Sequence, residues 1–236
     1  MKQNNWFDPF HIQSHLSEEE LGIQKNVRQF CEKELRPSVV EMNRKNQFNI
    51  NLYPEFGSLG VLGQTVKSHG GSGTSNLAYG LVAYEFEKID SSYRSSISVQ
   101  SSLVIHPINE FGSKDQKDKY LPELINGKKI GCFGLTESEA GSDPSSMKTT
   151  FKETKDGYIL NGSKNWITNA PIADIFIIWA LEENKDHKSI KGFILEKNFK
   201  GLKTSHIENK TSLKISPTGQ ITLDKVNVPK DSLLEN

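Results

Sequence analysis

The sequence predicts an α+β protein, with an all-helical domain over residues 1–130 followed by an antiparallel β-sandwich or barrel domain over residues 131–236. Apolar residues recur at helical spacing in the first part. In the second part, short segments rich in Ile, Phe, Val and Thr alternate with Gly, Asn and charged turns. No helical pattern separates those segments, and this favours an antiparallel sheet over a parallel α/β sheet. Without a low-complexity linker between them, the two halves are expected to pack on one another.

The first helices carry recognisable start and stop signals. Ser17 and Glu20 form an S-x-x-E capping box, and Pro37 limits the helix that follows. A shorter helix is predicted from Pro54 and ends in the loop SHGGSGTS. A longer helix is predicted over 75–89, where apolar residues form a stripe at helical spacing.

The next helix is predicted to span 92–111 and to end at Gly112. Ser113 and Gln116 then form a second capping box and predict a further helix over KDQKDKYLPELING. The helical half therefore ends close to residue 130.

Composition excludes several classes of function. The 236 residues carry 29 basic and 29 acidic side chains, so there is no electrostatic reason to expect nucleic acid or an anionic membrane as a partner. Cys31 and Cys132 lie far apart, and the histidines show no metal-binding spacing, which argues against a disulfide framework or a zinc site. The N-terminus resembles neither a signal nor a transit peptide, and no long apolar run follows. These features predict a soluble, cytoplasmic protein without membrane insertion.

Two strings in the β half carry the functional signal. They are GCFGLTESEAGSDPSSM, at 131–147, and LNGSKNWITNAPIADIFIIWA, at 160–180. Taken alone, GSD is usually a turn, and an aromatic-x-Thr in a strand usually packs in a sheet. Their joint occurrence, in this order and at this spacing, resembles the acyl-CoA dehydrogenase family. The resemblance extends from about Trp6 to the last residue and is strongest to the glutaryl-CoA dehydrogenase branch, through VAYEFEKIDSSYRSSISVQSSLVIHPI and KGFILEK.

The resemblance implies an FAD site formed by both strings. A flavin needs hydrogen-bond partners for its pyrimidine edge, a donor near N5, and apolar walls. A strand that ends and then turns through ESEAGSD presents free N–H groups at the rim of a sheet. In an extended strand, Trp166 and Thr168 share a face, so that one can cover the ring while the other donates to N5. The implied cofactor residues are Phe133, Leu135, Thr136, Gly141, Ser142, Trp166, Ile167 and Thr168, and Ser142 is also expected near the acyl-CoA thioester arm.

Arg94 is one of only four arginines in a lysine-rich chain. On a helix, Arg94 and Ser98 share a face, with Ser101 and Ser102 one turn further. Composition alone favours an exposed arginine that pairs with Glu87 or Asp90. The resemblance instead implies that Arg94 and Ser95 bind the distal carboxylate of glutaryl-CoA, with support from Ser98 and with Glu87 orienting the guanidinium.

The activity implied by the resemblance is the oxidative decarboxylation of glutaryl-CoA to crotonyl-CoA and CO2. The resemblance further implies that a glutamate removes the α-proton, that FAD accepts the hydride, and that an electron-transfer flavoprotein takes the electrons. Degradation of lysine or tryptophan is the implied pathway, and the full-length protein is expected to be a homotetramer. The catalytic base is expected beyond Asn236, because the chain ends where relatives continue into a second helical domain. Glu87, Glu137 and Glu139 do not match the motif of that base, so no catalytic residue is assigned.

Two alternatives stay open at this point. The first is a dehydrogenase for an ordinary short-chain, monocarboxylic acyl-CoA. The second is a truncated, non-catalytic fragment that binds flavin or acyl-CoA.

Overall fold

The structure is a computed structural model that describes residues 8, 10–185 and 189–234. Trp6, where the family resemblance starts, and the last two residues lie outside this range. Over the described ranges, no helix combines the length and the apolar character that crossing a membrane requires.

The N-terminal part of the described chain is helical up to Ile125. Two of its segments are wound as π-helix within longer helices, at Cys31–Leu35 and Val99–Ile105. The α-helices are α1 (Glu18–Phe30), α2 (Val39–Lys45), α3 (Leu52–Ser58), α4 (Asn76–Glu87), α5 (Ser91–Ser98), α6 (His106–Phe111) and α7 (Lys114–Ile125).

Both predicted capping boxes are confirmed. The Ser17 hydroxyl accepts the Glu20 N–H at 3.2 Å, and the Ser17 N–H donates to the Glu20 carboxylate at 2.9 Å. Ser113 and Gln116 exchange the equivalent bonds at 3.2 and 2.9 Å. Each box satisfies N–H groups that a helix start otherwise leaves without acceptors, so local sequence determines where α1 and α7 begin.

The predicted helix over 92–111 exists but is not regular. It runs as α5, the π-helical segment Val99–Ile105, and α6. Two side chains of the π-helical segment make tertiary bonds: Gln100 accepts the Gly131 N–H at 2.7 Å, and Ser101 accepts the Gly63 N–H at 3.1 Å. The wider winding therefore accompanies long-range contacts that a sequence pattern does not contain.

The described residues of the C-terminal part form a seven-stranded sheet. Strand β4 is central: β5 pairs with one of its edges, and β1 and β2 lie end to end along the other. From β2 the sheet continues through β3 and β7 to β6. The strands are β1 (Gly131–Gly134), β2 (Thr150–Glu153), β3 (Gly157–Thr168), β4 (Ile175–Glu182), β5 (Ile190–Glu196), β6 (Leu202–His206) and β7 (Thr218–Pro229).

The predicted architecture, helices followed by a β domain, is confirmed, whereas the purely antiparallel pairing is corrected. Both β1 and β2 run parallel to β4, with Gly131 opposite Ile175 and Thr150 opposite Leu181. The β2–β3 hairpin lies between β1 and β4 in the chain, so β4 enters the sheet in the same direction as β1. The domain boundary at residue 130 stays a prediction.

The sheet and the helices share one interface. Alternate residues of β4 face opposite sides, because side chains alternate along a strand. Ile175 and Ile177 pack into the core of the helical half, together with Ile194 of β5. Phe176 and Ile178 pack into a separate core within the β half. The two halves therefore pack on one another, as predicted.

Candidate functional site

The segment after β1 presents hydrogen-bond donors. The Leu135 carbonyl accepts a bond from Lys164 Nζ at 3.0 Å, and the Thr136 carbonyl accepts the Asn165 N–H at 2.9 Å. The N–H groups of Leu135 and Thr136 have no acceptor within the described part of the chain. Both residues are half-buried at the rim of the sheet. This edge can therefore bind a ligand that has carbonyl oxygens, which fits the pyrimidine edge of a flavin.

The loop that follows is open around Gly141 and Ser142. Glu137 and Ala140 close a turn through mutual backbone bonds, after which Gly141 and Ser142 are exposed. A Cβ atom added at Gly141 would contact nothing within 4 Å. The Ser142 hydroxyl makes no hydrogen bond to any described residue. A ligand has free access to this hydroxyl.

Phe133 lies in β1 with its ring away from this rim. The ring packs edge-on against Trp179 at 6.0 Å between centroids and borders the helical core. The predicted role of Phe133 at a cofactor is therefore restricted to its backbone.

Trp166 has an unusual backbone conformation. Its φ is 61°, in the left-handed region that bulky residues avoid, and a β-bulge interrupts the pairing of β3 with β7 between Lys164 and Ile167. The expectation of a uniformly extended strand is therefore wrong at this residue. The bulge directs the indole outward, where Trp166 is 58% exposed. Such strain costs on the order of 1–3 kcal/mol and is typical of functional sites.

Thr168 and Ile167 differ in what they can offer a ligand. Thr168 is half-buried at the end of β3, and its hydroxyl bonds no described residue. Ile167 is 3% exposed and packs in the β core. Ile167 can therefore reach a cofactor only through its backbone, whereas Trp166 and Thr168 both lie outside the core, and their roles at a cofactor stay predictions.

Asn169 directly follows β3 and fixes its end, a role that was not predicted from the sequence. It is fully buried with a φ of 68°, its amide donates to the Gly131 carbonyl at 3.1 Å, and its N–H donates to Pro217 at 2.8 Å. Its side-chain oxygen, the Tyr53 hydroxyl and the Ser96 hydroxyl are buried and have no hydrogen-bond partner among the described residues. Burial raises the pKa of the Tyr53 hydroxyl, and Ser96 and Asn169 oppose this rise. Tyr53 lies in α3, Ser96 lies in α5, and Asn169 directly follows β3.

Lys164 and Glu137 form a buried ion pair that was also missed. Lys164 Nζ lies 2.8 Å from Glu137 Oε1, and the two side chains are 0% and 9% exposed. Burial lowers the pKa of Lys164, and Glu137 counteracts this effect. The burial of Lys164 could have been predicted from the alternation of side chains along β3. Lys164 is four residues after Leu160, so both side chains lie on the same, buried face of the strand.

Arg94 lies on α5 and contacts Glu87, as anticipated. Its Nε donates to Glu87 Oε2 at 2.8 Å, and the side chains are 36% and 44% exposed. The Ser91 hydroxyl also donates to Glu87, and these two bonds, that of Ser91 foremost, hold the pKa of Glu87 below its ordinary value. Both terminal nitrogens of the Arg94 guanidinium are without a partner among the described residues. They remain available to a second carboxylate.

The serines of this helix fall into two groups. Ser95 and Ser98 are half-buried, and their hydroxyls bond no described side chain or carbonyl. Ser101 bonds Gly63, and Ser102 bonds the Tyr79 hydroxyl at 2.7 Å. Ser101 is 6% exposed and faces Gly63, so it does not extend the exposed polar face, whereas the place of Ser102 on that face stays a prediction.

The helix that carries Arg94, α5, and the loop 135–142 are connected through β1, without a direct bond between them. The π-helical segment that continues α5 packs on β1, and a Cβ atom at Gly131 would lie 2.5 Å from Val104. No hydrogen bond or ion pair joins Arg94 to the 135–142 loop within the described ranges.

The three glutamates considered for the catalytic base are all engaged. Glu87 binds Arg94, Glu137 binds Lys164, and Glu139 binds Lys148. The pKa of each of the three carboxylates is held below its ordinary value. Each therefore acts as an ionised partner within the described chain and is poorly suited to take up a proton.

Comparisons with known proteins give one consistent result. Residues 17–128 match the family described as acyl-CoA dehydrogenase, N-terminal domain, and residues 132–226 match its middle domain. The short-chain-specific acyl-CoA dehydrogenase of Clostridium acetobutylicum is 34% identical over 222 residues, covering 93% of this chain and 59% of the relative. The chain thus spans about three fifths of the length of that relative.

Solved structures agree with the sequence matches. A glutaryl-CoA dehydrogenase of Mycobacterium smegmatis, in complex with FADH2, superposes with a TM-score of 0.92 at 38% identity and covers 96% of this chain and 57% of its own. Butyryl-CoA dehydrogenase of Megasphaera elsdenii gives a TM-score of 0.87 at 36% identity, with 94% of this chain and 59% of its own covered.

Proposed function

The chain belongs to the acyl-CoA dehydrogenase family and contains its N-terminal and middle domains, and on this premise we propose that it binds FAD and an acyl-CoA thioester. When bound, FAD supplies the two-electron acceptor for oxidation of the acyl group. The proposal is supported by a rim that offers unpaired N–H donors and by a strained, exposed tryptophan beside a free threonine hydroxyl. The proposed cofactor residues are Phe133, Leu135, Thr136, Gly141, Ser142, Trp166, Ile167 and Thr168.

Five of these residues have a definite task in the proposal. The N–H groups of Leu135 and Thr136 donate to the carbonyl-bearing edge of the cofactor, and the Thr168 hydroxyl serves as a further donor. Trp166 covers the ring and excludes water. Ser142 lies where its free hydroxyl can bind the thioester arm.

The acyl group that we propose is glutaryl. The observation that carries this choice is Arg94, whose Nε donates to Glu87 while both terminal nitrogens have no partner in the part of the chain that the structure describes. A planar guanidinium fork matches a carboxylate, and Ser95 and Ser98 add free hydroxyls on the same helix. An apolar acyl tail that covered these groups would exclude water from them without replacing its hydrogen bonds, which costs about 1–3 kcal/mol for each polar group that is buried in this way. In the reaction proposed, crotonyl-CoA and CO2 are the products, and an electron-transfer flavoprotein takes the electrons.

The test uses the chain as it stands. We expect FAD titration, followed by flavin fluorescence, to saturate, and glutaryl-CoA to bind the loaded chain more tightly than butyryl-CoA. Equal affinities would contradict the glutaryl assignment and favour a monocarboxylic substrate. Crotonyl-CoA and CO2 appearing together would support decarboxylation, whereas oxidation without CO2 would contradict it.

A second candidate function is binding without turnover by this chain alone. It is favoured by the engagement of Glu87, Glu137 and Glu139 in ion pairs, which leaves none of the three free as a base. Bleaching of bound flavin by glutaryl-CoA would reject this candidate, and tight binding without bleaching would support it.

A further inference from the structure

We propose that Lys164 and Glu137 form a positioning pair that fixes the direction of the Thr136 N–H, so that this donor faces the cofactor before the cofactor binds. The identity of the cofactor as FAD rests on the proposed function above. The geometry of the pair does not depend on that function.

Lys164 has an acceptor for each direction in which its ammonium can donate. Nζ lies 3.0 Å from the Leu135 carbonyl, 2.8 Å from Glu137 Oε1 and 3.8 Å from the Met147 sulfur. The side chain is fully buried, so water does not compete for these bonds. The ammonium is therefore held in one place, against the Leu135 carbonyl.

The effect on Thr136 follows from the planarity of the peptide bond. The Leu135 carbonyl and the Thr136 N–H belong to the same trans peptide and point in opposite directions. Because Lys164 holds the carbonyl toward the interior, the N–H is directed away from it. This N–H has no acceptor in the described ranges, and the Asn165 N–H holds the next carbonyl, that of Thr136, at 2.9 Å.

The Glu137 carboxylate binds the residues that follow the loop, at Lys148 and Thr149. Its carboxylate accepts the Lys148 N–H at 2.7 Å and the Thr149 N–H at 2.9 Å, besides the Lys164 ammonium. The pair thus ties the start of the loop, at Leu135, to its end, at Thr149. These bonds to the carboxylate outweigh the effect of burial and hold the pKa of Glu137 below its ordinary value.

Stability alone is a poor reason for a charged pair at this place. Buried ion pairs often contribute no more than apolar side chains of similar volume, because both charges lose their hydration. An apolar pair, however, has no donor for the Leu135 carbonyl. The role of the pair is therefore geometric.

The experiment compares Lys164→Met with the double variant Lys164→Met/Glu137→Gln. In the single variant a buried carboxylate loses its counter-ion, and both thermal stability and FAD affinity should fall. The double variant removes the unpaired charge, so its melting temperature should recover toward wild type. Its Kd for FAD should stay at least about 10-fold weaker, because the Leu135 carbonyl still lacks its donor. Recovery of wild-type FAD affinity together with stability would overturn the proposal.

A matched control breaks another ion pair of the same length. Lys119 Nζ lies 2.8 Å from Glu196, with side chains 55% and 33% exposed. Lys119→Met should leave the Kd for FAD within about twofold of wild type, since surface pairs contribute little. A loss equal to that of Lys164→Met would show that any broken ion pair lowers FAD affinity, and would also overturn the proposal.

A measurement without flavin separates this inference from the proposed function. In the apo chain, the 13C′ chemical shift of Leu135 reports the hydrogen bond at its carbonyl. It should move toward the value of a free carbonyl in both Lys164 variants. An unchanged shift would overturn the positioning role, whereas a wild-type chain that binds no FAD would reject only the proposed function.

Discussion

Arg94 donates from Nε to Oε2 of Glu87 at 2.8 Å, and the rest of its guanidinium has no partner in the described part of the chain. The contact lies between α4 and α5, so Glu87 sets the direction of the fork without occupying its terminal nitrogens. Arg94 thus combines two features. Its Nε forms the exposed ion pair with Glu87 that composition favours, and its two terminal nitrogens are the free donors that binding of a second carboxylate would require.

The first prediction concerns selectivity at Arg94. Arg94→Lys keeps the charge but loses the planar fork, so binding of glutaryl-CoA should weaken by roughly 10-fold or more. Binding of butyryl-CoA should change little, and the ratio of the two Kd values is the measurement. Arg36→Lys is a matched control, because Arg36 also pairs with a glutamate, Glu32, on the surface of the helical half. An unchanged Kd ratio in the Arg94 variant would exclude the proposed carboxylate contact.

The second prediction compares two glutamates of α4. Glu85 is 2% exposed and bonds Arg28, Lys88 and Gln24, whereas the Glu87 side chain is 44% exposed. Glu85→Ala should lower the free energy of unfolding by about 1.5–3 kcal/mol, because charge-assisted bonds to a buried carboxylate are lost. Glu87→Ala should lower it by less than about 1 kcal/mol. Urea unfolding measures both, and equal losses would refute the distinction between the two sites.

The third prediction concerns strain at Trp166. Glycine tolerates the φ of 61° that the indole-bearing residue adopts. In Trp166→Gly, the apo chain should therefore keep its stability or gain up to about 1 kcal/mol, while FAD affinity should fall roughly 10-fold because the ring loses its cover. Lys225→Gly is a suitable control, since Lys225 has a φ of 50° on β7. Lys225→Gly should likewise keep or raise the free energy of unfolding, but it should leave the Kd for FAD unchanged. An unchanged Kd for FAD in Trp166→Gly would disprove the role of the indole.

The fourth prediction is a loss of stability in acid. For Glu85 and Glu137, burial raises the pKa, but bonds led by those from Arg28 and Lys164 outweigh it, so each pKa lies below the ordinary 4.5. A depressed carboxyl pKa adds stability above the unfolded pKa, and this stability is lost as pH falls through the folded pKa. The free energy of unfolding should therefore fall as pH drops below about 4.5. Glu85→Gln should show a shallower fall than wild type, and parallel curves would argue against this linkage.

Local signals in the sequence were sufficient for most of the helical half. The boxes at Ser17 and Ser113 predict the starts of α1 and α7, because a cap and its partner lie within one turn of each other. The change in periodicity near residue 130 predicts where helices give way to strands. The strings at 131–147 and 160–180 predict the family, and the family is shown by the matches over 17–128 and 132–226.

Features that depend on distant contacts were not predictable in the same way. The parallel pairing of β1 with β4 requires a crossover that no local pattern encodes. The winding of Val99–Ile105 accompanies hydrogen bonds of Gln100 and Ser101 to residues at least 24 positions away. The left-handed Trp166 depends on the register of β3 against β7.

The sequence by itself therefore determined the order of helices and strands, the family, and the arginine whose chemistry suits a second carboxylate. Tertiary structure alone decided which groups at the rim stay free. Lys164 and Asn165 occupy the carbonyls of Leu135 and Thr136, and Glu87 occupies one nitrogen of Arg94. The physical reason is that capping and periodicity act within a few residues, whereas the pairing of a buried polar group depends on which distant segment lies against it.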